Sequence, residues 1–79
     1  MSDWAQKLAA AEAAAEGKQA AEHEAESRFD VIHHEAKARG DMSHALESEE
    51  LKTWMARRHE TDAAWGVWAT VMDAKPEHA

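Results

Sequence analysis

The chain has 79 residues, of which 44% are hydrophobic, 32% are charged and none is cysteine. Nineteen of the hydrophobic residues are alanine, so sixteen larger apolar side chains remain for a core. That number is marginal for a domain of this length. Without cysteine, neither a disulfide framework nor a thiolate metal site can stabilise the fold. We therefore expect at most one domain, covering residues 1–79.

The charge excludes several classes of partner. Nine Lys and Arg residues stand against sixteen Asp and Glu residues, giving a formal charge of -7. Nucleic-acid binding needs clustered basic residues, and only Arg57 and Arg58 are adjacent. The first residues lack a basic region followed by an apolar run, so we expect no signal peptide. The longest later uncharged stretch, residues 63–72, is far shorter than the roughly 20 residues that span a bilayer. We expect a soluble protein of a reducing compartment, cytoplasmic by default, without direct nucleic-acid or membrane binding.

The first predicted element is a long helix over residues 3–39. It ends where a basic residue precedes Gly40, a common helix terminus in which glycine takes the left-handed conformation. Asp41 or Ser43 can then cap the next helix by accepting a hydrogen bond from a free backbone N–H.

The second predicted helix covers residues 44–74. Pro76 cannot continue a helix and disfavours helical geometry at the residue before it, so a short tail follows at 75–79. Most residues in both segments are good helix formers, and strand-like alternation is absent. The sequence therefore predicts an all-α fold, a long antiparallel helical hairpin.

Apolar residues recur every three or four positions in both helices, which predicts a packed seam. Folding the chain at residues 40–43 places Phe29 opposite Trp54, and it brings the polar interruption of one helix beside that of the other. Glu22 and Arg58 are predicted to pair in this polar layer. The predicted core consists of the larger apolar side chains on the seam: Phe29, Ile32, Leu51, Trp54, Trp65, Trp68 and Met72.

The same register places Lys18 opposite Trp65. Gly17 and the alanines before it also face the indoles of Trp65 and Trp68, and small residues would give these rings room. Gly17 is otherwise unfavourable in mid-helix, so we expect it to have this packing role. The alternative is that Gly17 kinks the first helix or breaks it in two.

The open end of the hairpin, away from the turn, carries more apolar surface than one neighbouring helix covers. Residues 63–72 are apolar nearly all round, as expected of a buried helix. Self-association into a four-helix bundle would cover this surface, and we predict a homodimer. The predicted interface residues are Trp4, Leu8, Ala64, Val67 and Val71. In the alternative, the N-terminal stretch folds back as a third helix and the chain stays monomeric.

One cluster of metal-ligand residue types lies near the turn. Asp30, His33 and His34 are close in sequence, and the register brings Glu50 near them. The paired Glu-x-x-His motifs of di-iron bundles are missing, however, so solvated histidines beside acids are the favoured interpretation. We predict no metal site and no cofactor, and we keep these four residues as candidates.

Sequence motifs of catalysis are absent. The chain has no cysteine, no Gly-x-Ser-x-Gly elbow and no phosphate-binding glycine loop. A two-helix hairpin also lacks the concavity of an active site. We therefore expect a non-enzymatic protein.

Three functions remain for a small acidic hairpin. The leading hypothesis is a protein-binding module that regulates or inhibits a larger host protein; in size and acidity the chain resembles the small accessory proteins of phages and mobile elements. The first alternative is an acidic decoy that imitates a nucleic-acid backbone toward a DNA- or RNA-binding protein. The second alternative is a metal-binding helical bundle. The glutamates available for mimicry are Glu12, Glu16, Glu22, Glu24, Glu26, Glu35, Glu47, Glu49, Glu50 and Glu60.

Overall fold

The computed structural model describes residues 3–77, which form three helices and no strand. Helix α1 covers Asp3–Arg39, α2 covers Met42–Leu46 and α3 covers Glu49–Asp73. Helices α1 and α3 pack against each other, and α2 lies in the connection between them. The Cα atoms occupy a rod of 60 × 15 × 14 Å. The predicted all-α helical hairpin is confirmed.

Helix α1 has the predicted bounds and is continuous through Gly17, so the alternative of a broken first helix is wrong. Gly40 ends the helix with a φ of 70°, in the left-handed region that favours glycine. The N–H groups of Gly40 and Asp41 donate to the carbonyls of Lys37 and Ala36, at 3.2 and 2.8 Å. These two bonds satisfy the free carbonyls at the helix end, as the sequence pattern indicated.

The predicted second helix beginning at residue 44 is wrong in its first part. The chain instead forms the five-residue α2, with Asp41 as its N-cap and Ser43 inside it. The Asp41 carboxylate accepts a hydrogen bond from the N–H of His44 at 3.4 Å. The helix then ends at Leu46, and a new helix begins at residue 49.

Ser48 explains why α3 begins where it does. Its hydroxyl accepts from the N–H of Leu51 at 3.2 Å and donates to the carbonyl of Ala45 at 2.7 Å. The side chain is thus the N-cap of α3 and also holds α3 to the last turn of α2. Glu49 and Glu50 follow in the first turn, where negative charge stabilises a helix. At its other end α3 stops at Asp73, one residue before the predicted limit; residues 78 and 79 of the predicted tail lie outside the described residues.

The core is thickest at the turn end of the rod. Phe29, Ala36 and Ala45 are buried together, and Ile32, Leu51 and Trp54 pack against them half-buried. The rings of Phe29 and Trp54 stack with centroids 5.5 Å apart, as the predicted register requires. Farther along the rod the buried positions are small: Ala15, Ala25 and Thr61.

The open half of the hairpin differs from the predicted packing around Gly17. A Cβ added at Gly17 would meet no atom within 4 Å, so the predicted packing role of this glycine is wrong. Trp65 and Trp68 instead contact each other edge to face, with centroids 5.6 Å apart. Lys18, predicted to lie opposite Trp65, forms an ion pair with Glu60. The two indoles are half-buried, which leaves part of each ring at the surface.

Candidate protein-interaction surfaces

The rod exposes a large area for its mass. Its accessible surface is 5852 Å², whereas a compact monomer of this mass has about 4,800 Å². No large side chain among residues 3–77 is completely buried. The exposed large apolar residues are Val31, Met42, Leu46, Met55, Val67 and Met72, with exposures of 57, 40, 65, 59, 57 and 39%. A two-helix rod covers only one side of each helix, so it retains apolar surface that a thicker fold would bury.

Trp4 fixes the open end of the hairpin. Its indole Nε1 donates to the carbonyl of Val71 at 2.6 Å. The ammonium of Lys75 lies 5.7 Å from the ring centroid, within cation–π range. Trp4 therefore joins the start of α1 to the end of α3 within one chain.

The other predicted interface residues differ in exposure. Leu8, Ala64 and Val71 are half-buried in the hairpin itself, whereas Val67 is exposed. Their contact with a second copy stays a prediction. Met72, which the sequence placed in the core, is 39% exposed.

The predicted polar layer has a different composition. Glu22 is half-buried and Arg58 is exposed, and no ion pair joins them among the described residues. The ion pair that links α1 to α3 is Lys18–Glu60, with an N–O distance of 3.9 Å. Long charged side chains on the seam turn outward because burial would cost their hydration.

Among the described residues, Glu60 takes part in two ion pairs. Besides Lys18, it contacts the Arg57 guanidinium at 2.9 Å. The hydrogen bond from Arg57 lowers the pKa of Glu60 below its ordinary value of 4.5, with smaller contributions from the charges of Arg57 and Lys18. This ion-pair network marks the end of the charged part of the seam, because α3 carries no charge from residue 63 to residue 72.

The candidate metal ligands do not meet at one point. Asp30 and His34 border a shallow surface groove, while His33 contacts the ring of Phe29 with centroids 5.9 Å apart. Glu50 lies on another groove beside Arg28. Among residues 3–77, no group of three or more His, Asp or Glu side chains is placed to hold a metal ion.

Several of the glutamates considered for nucleic-acid mimicry are neutralised by neighbours. Glu24 pairs with Arg28 at 2.8 Å, and Glu49 pairs with Lys52 at 3.2 Å. Glu60 is paired as described. The acidic surface is therefore interrupted by basic partners, unlike the uniform charge of a phosphate backbone.

Sequence reasoning missed the exposed apolar residues around the turn. Val31, Met42 and Leu46 did not belong to the predicted seam. Val31 lies on the side of α1 away from buried Phe29, and Met42 and Leu46 lie on the short α2. Their position outside the three-four spacing of the seam was the available signal. Residues 41–50, which include Met42 and Leu46, contain four acidic residues and no Lys or Arg. We call residues 41–50 the tip.

Among the side chains of residues 3–77, one buried polar atom lacks a hydrogen-bond partner. The indole Nε1 of Trp54 is buried and makes no hydrogen bond. Such a donor costs about 1 to 3 kcal/mol of stability. The ring stacks on Phe29, so its position follows from packing rather than from polar contacts.

Comparison with known proteins gives no match. No family model, no curated protein and no solved structure is significantly similar to the chain. Within residues 3–77, neither long helix combines the length and apolar character needed to cross a bilayer.

Proposed function

We propose that this chain is a non-enzymatic protein-binding module that regulates or inhibits a larger protein by occupying its surface. The supporting observation is the exposure of Leu46, 65%, at the tip of the rod. Leaving a leucine side chain in water forgoes about 1.5 to 3 kcal/mol of burial free energy. A binding partner recovers that free energy.

The tip has the chemistry of a small binding surface. Leu46 and Met42 are exposed apolar side chains on α2, and Asp41 and Glu47 add negative charge around them. Binding energy at protein interfaces is concentrated in a few apolar or aromatic anchors surrounded by polar residues. The matching partner has an apolar pocket with a basic rim, and charge attraction raises its rate of association.

The rod shape supports this function over catalysis. The candidate ligands Asp30, His33 and Glu50 lie apart, and among residues 3–77 no group of three or more His, Asp or Glu side chains is placed to hold a metal ion. A rod that ends in an apolar and acidic tip is suited to insertion into a cleft of a larger protein.

The test is quantitative affinity capture from the source cell with three forms of the purified chain. We expect the wild type and Met55→Gln to retain the same protein, and Leu46→Gln to lose it. Met55 is a matched control because it is 59% exposed but lies on α3 outside the tip. Circular dichroism checks that all three forms stay helical.

Two outcomes would contradict the proposal. Equal retention by Leu46→Gln would show that the tip is not the contact. A nucleic-acid-binding protein that is retained regardless of Leu46, and released steeply as salt increases, would instead support the decoy function.

A further inference from the structure

A neutral zone encircles the rod near its open end. It consists of residues 8–15 of α1 and residues 63–72 of α3, and we call it the belt. Of its eighteen residues only Glu12 is charged, although charged residues make up 32% of the chain. The Trp4–Val71 hydrogen bond lies at one end of the belt and the Lys18–Glu60 ion pair at the other. The two stretches are therefore at the same level of the hairpin.

Contacts between α1 and α3 beyond each end of the belt define one of its faces. Lys7 borders a groove with Thr70, Val71 and Ala74, and Lys18 meets Glu60 on that same face. Residues three and seven positions apart lie on the same side of an α-helix. Counting three and seven residues on from Lys7 in α1, and from Glu60 in α3, gives the residues of this face within the belt. Those four residues, which we call the belt face, are Ala10, Ala14, Ala63 and Val67. All four are exposed.

The opposite face of the belt is unsuited to self-association. Glu12 lies on that face, and helical spacing places Glu16 of α1 and Asp62 and Asp73 of α3 on the same side of the rod, just beyond the ends of the belt. These four exposed acids have one basic residue beside them at that spacing, Arg58, four positions before Asp62. The face therefore keeps an excess of negative charge, and two such faces would repel each other. The belt face is bordered instead by Lys7, Lys18 and Glu60, which carry both signs.

We propose that the belt face binds a second copy of this chain, and that the two hairpins overlap antiparallel about a two-fold axis through the belt. The charge distribution favours this arrangement over a parallel one. Each tip, residues 41–50, carries four acids and no Lys or Arg. A parallel pair would bring both tips together, whereas the antiparallel pair places them at opposite ends.

The overlap buries enough area for a stable dimer. The belt centre lies about 44 Å from the tip at 1.5 Å per residue, so about 16 Å of the 60 Å rod remains beyond it. Two rods overlapping by about 30 Å, each about 20 Å wide with side chains, bury roughly 600 Å² per copy. Stable interfaces begin near 1,200 Å² for both partners. Each rod exposes about 1,000 Å² more than a compact monomer, so the interface covers about half of this excess.

The residues of the belt face suit a close helix pair. Alanines at Ala10, Ala14 and Ala63 let helix backbones approach, and Val67 supplies the apolar side chain that the contact buries. The two α3 helices meet near Val67, beside the axis. This inference goes beyond the proposed function. Its contact residues lie in the belt face and not in the tip, so loss of dimerisation and loss of partner binding are separate outcomes.

The first experiment measures the mass of the purified chain by sedimentation or light scattering, with two matched variants. Val67 and Val31 are each 57% exposed, but only Val67 lies on the belt face. At about 100 µM, we expect twice the mass of 8.8 kDa for the wild type and for Val31→Glu. Val67→Glu should weaken dimerisation at least tenfold and remain helical by circular dichroism, since glutamate is a better helix former than valine.

The second experiment tests the orientation. Small-angle scattering should give a largest dimension of about 90 Å for the antiparallel dimer, whereas a parallel dimer keeps the length of one rod. The chain has no cysteine, so Val67→Cys should form an intermolecular disulfide on oxidation and Ser43→Cys, at the tip, should not. A monomeric wild type would overturn the proposal. So would an equal effect of the two glutamate variants, or efficient cross-linking through residue 43.

Discussion

Replacing Gly17 by alanine should stabilise the chain. The residue lies inside α1, and a Cβ added there would meet no atom within 4 Å. Alanine therefore adds no clash, while it removes the conformational freedom that glycine has in the unfolded chain. In a helix interior this exchange is worth about 1 kcal/mol. For a domain of this size, that corresponds to a rise in melting temperature of about 4 to 8 °C.

The matched control is Gly40→Ala, the same substitution at a glycine whose backbone conformation strains alanine. Gly40 has a φ of 70°, so alanine there should destabilise by about 1 kcal/mol or more. Both variants can be followed by circular dichroism at 222 nm in a thermal scan, at one fixed protein concentration because self-association shifts the midpoint. A loss of stability in Gly17→Ala would show that a neighbouring side chain packs against that position.

Three further changes test the core, the cap and the ion pairs. Trp54→Ala should lower the free energy of unfolding in urea by about 3 kcal/mol, because it removes the ring that stacks on Phe29. Trp54→Phe should stay within about 1 kcal/mol of the wild type, because it keeps a ring and removes the unpaired buried N–H. Equal losses in the two variants would contradict this. Ser48→Ala should cost about 1 to 2 kcal/mol in the same assay, since the hydroxyl caps α3, and an unchanged midpoint would show the cap to be dispensable. The lowered pKa of Glu60 means that its stabilising contribution is present above pH 4.5 and is lost as pH falls through the lower folded-state pKa. Arg57→Ala should therefore raise the pKa of Glu60 in an NMR titration and weaken the loss of stability in acid; no change in that pKa would contradict the assignment.

The hairpin could be predicted because its signals are local. Gly40 ends α1 with the left-handed geometry that only glycine adopts without strain, and it lies at the one place where turn formers cluster. The pairing of Phe29 with Trp54 followed from placing the turn there, since two antiparallel helices have one register once the turn is fixed. The helix end depends on neighbouring residues in the sequence, and the ring pairing depends on the size of the side chains. Both can be read from the sequence.

The break before α3 was harder to predict because two cap-type residues compete. Ser43 and Ser48 are both good N-caps, and the helix formers between them suit a continuous helix. Ser48 has acids at the next two positions, which favour a helix start through the helix dipole. Its second hydrogen bond, to the carbonyl of Ala45 three residues earlier, is a local contact that requires α2 to end before Ser48.

The seam of the open half was predicted less well than the turn. A heptad pattern assumes 3.5 residues per turn, and a straight helix drifts by about 20° per heptad from it. Positions such as Lys18 and Arg58, assigned to the seam by counting, therefore turn out of it and are exposed. Gly17 was assigned a packing role on the same assumption and lies in open space.

The hydrogen bond from Trp4 to Val71 also decides where attached polypeptide would emerge. It brings the start of α1 and the end of α3 together, so anything joined before residue 3 or after residue 77 leaves the rod at the same end. A fluorescent protein or affinity handle fused at either position would sit about 60 Å from the tip and crowd the belt. Reporters for partner capture are therefore compatible with terminal fusion, whereas measurements of self-association should use the chain after the handle is removed.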